Sequence, residues 1–167
     1  HSFDKWVIVG HWPVTLYRGD IPSAAPIVDR ERHIVSIDGG CTLKLDGQLN
    51  ALILPEEPGG EFTWVSYDGF PEGTALEAQE ASADPLNIRW GRSDVEVLEE
   101  GAEFCRCRHL ETGRELDILT EFLRRDERGV WCEDSTDYLL PVKAGDTLSV
   151  IRQTSRGTLC KKDGVTG

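Results

Sequence analysis

Hydrophobic residues fall in short runs separated by polar turns. Trp6–Val9 (WVIV), Ile34–Ile37 (IVSI) and Leu49–Leu54 (LNALIL) are branched-residue-rich and bounded by Gly, Pro or Asp, which predicts neighbouring buried strands rather than helices. EFTWVSYDG adds a strand in which Phe62, Trp64 or Val65, and Tyr67 can pack. Asp46-Gly47, a dipeptide suited to tight hairpins, lies between Cys41–Leu45 and Leu49–Leu54 and predicts an antiparallel pair. Tyr17–Arg32, with two prolines and mixed charge, reads as an extended loop. Pro71-Glu72-Gly73 marks a boundary, after which many short strands alternate with polar turns. The expected strands are Leu76–Ala81, Leu86–Trp90, Val95–Leu98, Glu103–Leu110, Arg114–Leu123, Val130–Cys132, Thr147–Gln153 and Thr158–Lys161, with Glu111-Thr112-Gly113 as a hairpin loop. Arg114–Arg125 also repeats Leu116, Leu119, Phe122 and Leu123 at helical spacing, so a short amphipathic helix is the alternative to a strand there.

A chain of 167 residues with 39% apolar composition can build one domain or two small ones around a core. A net charge of −12 argues against nucleic acid or an anionic membrane as a partner, because phosphate surfaces demand the opposite sign. No apolar run approaches the roughly twenty residues that cross a bilayer. The five cysteines form an odd set without zinc spacing or a signal peptide, so free, packed thiols and a cytoplasmic location are expected.

Two loops carry candidate chemistry. His11 follows the first strand in Gly-His-Trp-Pro, where a chain leaves a sheet and turns, a frequent place for metal ligands and catalytic groups. The second strand ends in Asp38-Gly39-Gly40-Cys41, whose glycines permit close backbone approach, and both loops are expected on one lip of the sheet. By composition alone each also reads as a structural histidine and an ordinary turn.

The order Gly-His-Trp-Pro, loop, strand, Ile-Asp-Gly-Gly-Cys, then Asp-Gly-Gln-Leu-Asn-Ala-Leu resembles the C-terminal half of a calcineurin-like metallophosphoesterase. It is similar to bacterial serine/threonine phosphoprotein phosphatases and symmetrical diadenosine tetraphosphatases over about residues 5–55. The resemblance implies that His11 ligates one metal of a two-metal centre of manganese, iron or zinc, and that Gly39, Gly40 and Cys41 overhang it. Arg18, Arg30 and Arg32 are candidates for holding phosphate oxygens, with solvent-facing loop charges as the alternative. His33, opening a strand, is expected to be structural.

The family's N-terminal motifs Gly-Asp-x-His, Gly-Asp-x-x-Asp-Arg-Gly and Gly-Asn-His are absent. Gly19-Asp20 is followed by Ile21-Pro22, Asp126-Glu127-Arg128-Gly129 lacks a preceding Gly-Asp, and neither Asn50 nor Asn87 precedes a histidine. A two-metal site needs a bridging carboxylate and several ligands. The expectation is therefore a C-terminal portion of a longer metal-dependent phosphatase acting on phosphomonoesters, inactive and without bound metal by itself. The His1-Ser2 start and Gly164-Val165-Thr166-Gly167 end fit that expectation. A half-sheet would leave an apolar face bare and self-association would follow.

YLLPVKAGDTLSVIRQTSRGTLCKKDGVTG resembles the bacterial Src-homology-3-like barrel through Val142-Lys143, Gly145-Asp146, Leu148, Val150 and Lys162-Asp163-Gly164, and Leu86-Asn87-Ile88-Arg89 looks like its first strand. The expected fold is thus mainly β: an incomplete metallophosphoesterase sheet over residues 1–70 and a small Src-homology-3-like barrel with an extended hairpin over 71–167. Trp90, Trp131 and Tyr138 are candidates for an aromatic groove taking a protein or peptide. A non-catalytic peptide-binding β protein is the alternative to the enzyme portion.

Overall fold

The computed structural model describes residues 2–57 and 59–167, and the chain is mainly β. Strands β1 (Val7–Val9), β2 (Ile27–Asp29) and β3 (Ile34–Ser36) form one sheet with β3 in the middle. β3 runs parallel to β1, pairing Val7 with Ile34 and Val9 with Ser36, and antiparallel to β2. Parallel pairing needs a crossover long enough to bring the chain back to the same end, which the Pro-rich segment between β1 and β3 provides. That segment includes a 3-10 turn at Val14–Tyr17.

Strands β4 (Leu49–Ile53) and β5 (Thr63–Tyr67) make an antiparallel hairpin. The expected pairing of Cys41–Leu45 with β4 does not form. The amides of Leu43 and Lys44 instead both bond the Gly40 carbonyl, at 3.0 and 2.9 Å, and residues 41–46 turn. The Asp-Gly preference is local and is overridden because Asp46 is drawn into a buried ion pair.

The later part of the chain contains β6 (Glu72–Thr74), β7 (Asn87–Ile88), β8 (Val95–Glu99), β9 (Phe104–His109), β10 (Glu115–Leu119), β11 (Leu123–Asp126), β12 (Gly129–Cys132), β13 (Ser135–Thr136), β14 (Thr147–Thr154), β15 (Gly157–Lys162) and β16 (Val165–Thr166). β8, β9 and β10 form a meander, β14 and β15 a long hairpin flanked by β6 and β16, and β7–β13 and β11–β12 are separate pairs. Among the described residues these sheets do not close into a barrel. Leu76–Ala81 is not a strand; it contributes a single bridge from Gln79 to Val142.

Arg114–Arg125 forms β10, a 3-10 turn at Thr120–Phe122, and β11. Period-two burial decides against the helix: Leu116 and Ile118 are buried while Glu115 and Asp117 point outward toward Arg108 and Arg106. Leu116 and Ile118 join Leu86, Ile88, Val95, Cys105, Cys107 and Cys132 in one core cluster. Tyr138, Leu140, Leu148 and Cys160 form another.

The two parts of the chain are bound at several places. The Thr166 amide donates to the Pro22 carbonyl at 2.9 Å and the Ala24 amide to Gly164 at 2.7 Å, so residues 22–24 extend the β16 edge. Another is the ion cluster described below.

The tip of the β14–β15 hairpin leans on the β8–β10 meander. The Arg156 guanidinium stacks over Phe104 at 4.5 Å and pairs with Asp117, while Glu103 accepts the Ser155 amide at 3.0 Å and its hydroxyl. These bonds from Ser155 hold the Glu103 carboxyl below its ordinary 4.5. A carboxylate depressed on folding stabilises fully above its unfolded value and loses that contribution as pH falls through the folded one. The thermal midpoint is therefore expected to begin falling below about pH 4.5, with Glu103→Gln lower than wild type at pH 7 and equal to it at the acid end. An unchanged acid slope in that variant would show that the hairpin tip is not held this way.

Candidate functional site

Because β1 and β3 are parallel, the loops after both leave the sheet at the same end. The Ile37 amide bonds the Val9 carbonyl at 3.0 Å and the Val14 amide bonds the Asp38 carbonyl at 2.8 Å, tying the His11 loop to the Asp38-Gly39-Gly40 loop. Asp38 Oδ1 in turn accepts the Gly40 amide at 2.8 Å. The glycines are required by approach: a Cβ on Gly39 would lie 2.3 Å from the Gln48 carbonyl oxygen, and Gly40 sits at φ +74° with the Lys44 side chain against it. Cys41 is exposed at the rim.

His11 is exposed and has φ +72°. A left-handed backbone at a non-glycine residue costs on the order of 1 kcal/mol or more and persists where the surroundings impose it, often at functional sites. His33, also left-handed at φ +57°, is the structural residue expected: it opens β3, bonds the Phe3 carbonyl and packs on Trp6.

Two of the three candidate arginines lie away from that lip. Arg30 and Arg32 lie in the turn before β3, at the end of the strand opposite Gly39, and pair with Glu61 and Asp29. Arg18 follows the 3-10 turn, and its carbonyl accepts the Asn87 side-chain amide at 3.2 Å.

The resemblance implies two divalent ions, and the residues present do not fit them. Among the described residues no group of three or more His, Cys, Asp or Glu side chains is arranged to hold a metal. His11 would be a single ligand, short of the bridging carboxylate and several ligands that a two-metal site needs.

Beside His11 a groove of about 620 Å³ opens between the two parts of the chain. Trp12, Leu43 and Leu45 come from the first part, Trp90, Trp131 and Phe122 from the second. Trp12 and Trp90 meet edge to face at 5.6 Å and remain 42% and 67% exposed. The expected groove residues Trp90 and Trp131 are thus together, whereas Tyr138 is buried in the second core cluster. Trp12 and Leu43 carry no sequence signal for this role, since the turn at 41–46 is set by tertiary contacts.

Below the groove lies a buried ion cluster. Lys44 Nζ is 2.9 Å from Asp134, and the Arg89 guanidinium stands 3.3 Å from Asp134 and 3.6 Å from Asp46, all four side chains being nearly buried. Lys161, equally buried, donates to the Gly47 carbonyl at 3.2 Å and faces Asp68 at 3.5 Å and the Phe70 ring. Burial pushes the Lys161 ammonium below its ordinary pKa, opposed by Asp68 and Asp46.

All five cysteines are unpaired. Burial raises the Cys107 and Cys132 thiols to about 11 and about 12, so they pack rather than react. No helix is long and apolar enough to cross a membrane among the described residues. No family model, curated protein or solved structure matches the chain.

Removing Asp134 takes the carboxylate from buried Lys44 and leaves buried Arg89 with Asp46 alone. Asp134→Ala is expected to cost about 3–5 kcal/mol in urea unfolding, as for other broken buried pairs. A loss below about 1 kcal/mol would place the cluster with exposed ion pairs instead.

Proposed function

We propose that this chain is the C-terminal part of a metal-dependent phosphoesterase, supplying one metal ligand, His11, and the glycine loop Gly39-Gly40-Cys41 that borders the reacting phosphate. The observation that carries the reading is the shared lip: parallel β1 and β3 deliver the Gly-His-Trp-Pro loop and the Asp-Gly-Gly-Cys loop to one end, hydrogen-bonded to each other. The left-handed backbone at His11 supports it further.

The uncovered face of the β4–β5 hairpin is the second support. On that face Leu49 pairs with Tyr67, Ala51 with Val65, and Ile53 with Thr63. Leu49, Ile53, Val65 and Tyr67 are each at least 50% exposed. The opposite face carries the Asn50–Ser66 and Leu52–Trp64 pairs, and Asn50 ties it to the chain: its amide donates to the Ala24 and Ile37 carbonyls at 2.9 and 3.0 Å and accepts from Gln48 and Ser66 at 2.7 Å. An apolar face turned outward requires a cover, and in this reading the covering polypeptide brings the remaining metal ligands. The later sheets then belong to a Src-homology-3-like module packed beside the site.

Hydrolysis of p-nitrophenyl phosphate by the intact gene product is expected to require added manganese. His11→Asn should lower it by more than about 100-fold, since loss of even a partner behind a metal ligand costs about 10–100-fold, with the thermal midpoint little changed. Full activity in that variant, or hydrolysis indifferent to metal, would overturn the assignment. The 167-residue chain by itself is expected to self-associate through the bare face, and Val65→Lys should return it to a monomer in light scattering. A monomeric wild-type chain at high concentration would argue that the face needs no cover.

A further inference from the structure

The groove beside His11 does not end at Trp131. Trp90, Ser93 and Trp131 also line a neighbouring depression of about 240 Å³ with Asp94, Asp126 and Arg128, so the two share a tryptophan wall and together are called the channel. Its wide part is aromatic and aliphatic, with Leu43 and Leu45 68% and 50% exposed beside the Trp12–Trp90 pair.

Charge differs along the channel. In the wide part every charged wall residue is already neutralised from within: Lys44 by Asp134, Arg124 by Glu133 at 3.1 Å, and Glu121 by Arg152. An occupant there gains nothing from carrying charge. In the narrow part Asp94 is exposed and has no ion pair among the described residues, while Asp126 meets Arg128 only at 3.8 Å on a side chain 89% exposed. That end favours a cation, and the chain's net charge of −12 favours approach of a basic partner over an acidic one.

We infer that the channel binds an extended polypeptide segment, with an aromatic or proline side chain against Trp12 and Trp90 and a lysine or arginine beside Asp94. Two adjoining depressions of different chemistry on either side of Trp90 and Trp131 suit an extended chain better than a compact small molecule. Exposed tryptophans are the anchors that typically dominate peptide and protein binding, because one large rigid ring buries much area at little entropic cost. Because Trp12 and Trp90 come from different parts of the chain, the channel depends on the contacts that hold those parts together, of which Lys44–Asp134 lies in its own wall. The inference does not depend on a metal at His11.

The test is selection of the full chain against an array of random twelve-residue peptides, followed by tryptophan-fluorescence titration of the best sequences. The expected result is enrichment of an aromatic residue or proline at a fixed spacing from a lysine or arginine. Trp90→Ala should weaken binding about tenfold or more. Asp94→Asn should weaken it several-fold and flatten its dependence on salt. Leu43→Glu, at an exposed position, provides an independent variant whose folding is checked by its thermal midpoint. Absence of enrichment would overturn the inference, as would peptides indifferent to both Trp90→Ala and Leu43→Glu. Saturable fluorescence changes with adenosine triphosphate or chitotetraose, but with no peptide, would also overturn it.

Discussion

The guanidinium of Arg89 sits almost without solvent between Asp46 and Asp134, and the arrangement of the two parts of the chain depends on it. Asp46 and Lys44 belong to the turn after the glycine loop, Arg89 follows β7, and Asp134 follows β12. Burying four charges is costly unless they face one another, so the cluster tolerates few relative positions of the elements that bear it. Among the described residues, Arg89 Nε and Nη2 find no aligned acceptor, which makes the cluster an electrostatic clamp more than a complete hydrogen-bond network. It sets the turn at residues 41–46, and that turn in turn aims Leu43 and Leu45 into the groove.

The lip of the first sheet and the aromatic channel are consequences of two different geometries that meet at one residue pair. Parallel strands bring His11 and Gly39 together from distant places in the chain. The residue after His11, Trp12, then reaches Trp90 across the boundary between the two parts. His11 and the aromatic groove are thus contiguous, with Trp12 next to the histidine in the groove wall.

The β4–β5 hairpin carries the Asn50–Ser66 and Leu52–Trp64 pairs on its inward side and Leu49, Ile53, Val65 and Tyr67 on its outward side. Asn50 explains the inward side: one amide bonds two loop carbonyls and two neighbouring side chains, filling positions where backbone groups would otherwise lack partners. The outward side has no such explanation within the chain. Apolar cross-strand pairs such as Leu49–Tyr67 are stabilising when another layer removes them from water, which connects the exposed face to the proposal of a larger catalytic domain.

Periodicity alone was enough for most of the strands. The branched runs at β1, β3 and β4 and the alternation at β9 and β10 each express a local preference that the final packing reinforces. The pairing of the two loops beside His11 was legible as well, because two strands ending in glycine-containing turns were expected on one edge. What only the tertiary structure decided involves charge and distance. Asp46-Gly47 looks like a hairpin turn until Arg89, far along the chain, takes the carboxylate. Tyr138 looks like a groove residue until the core around Leu140 and Leu148 encloses it. Arg30 and Arg32 look available to the site until the direction of β3 sets them at its other end. Local propensity acts over a few residues, whereas a buried ion pair or a strand's polarity is fixed by partners that the neighbouring sequence does not contain.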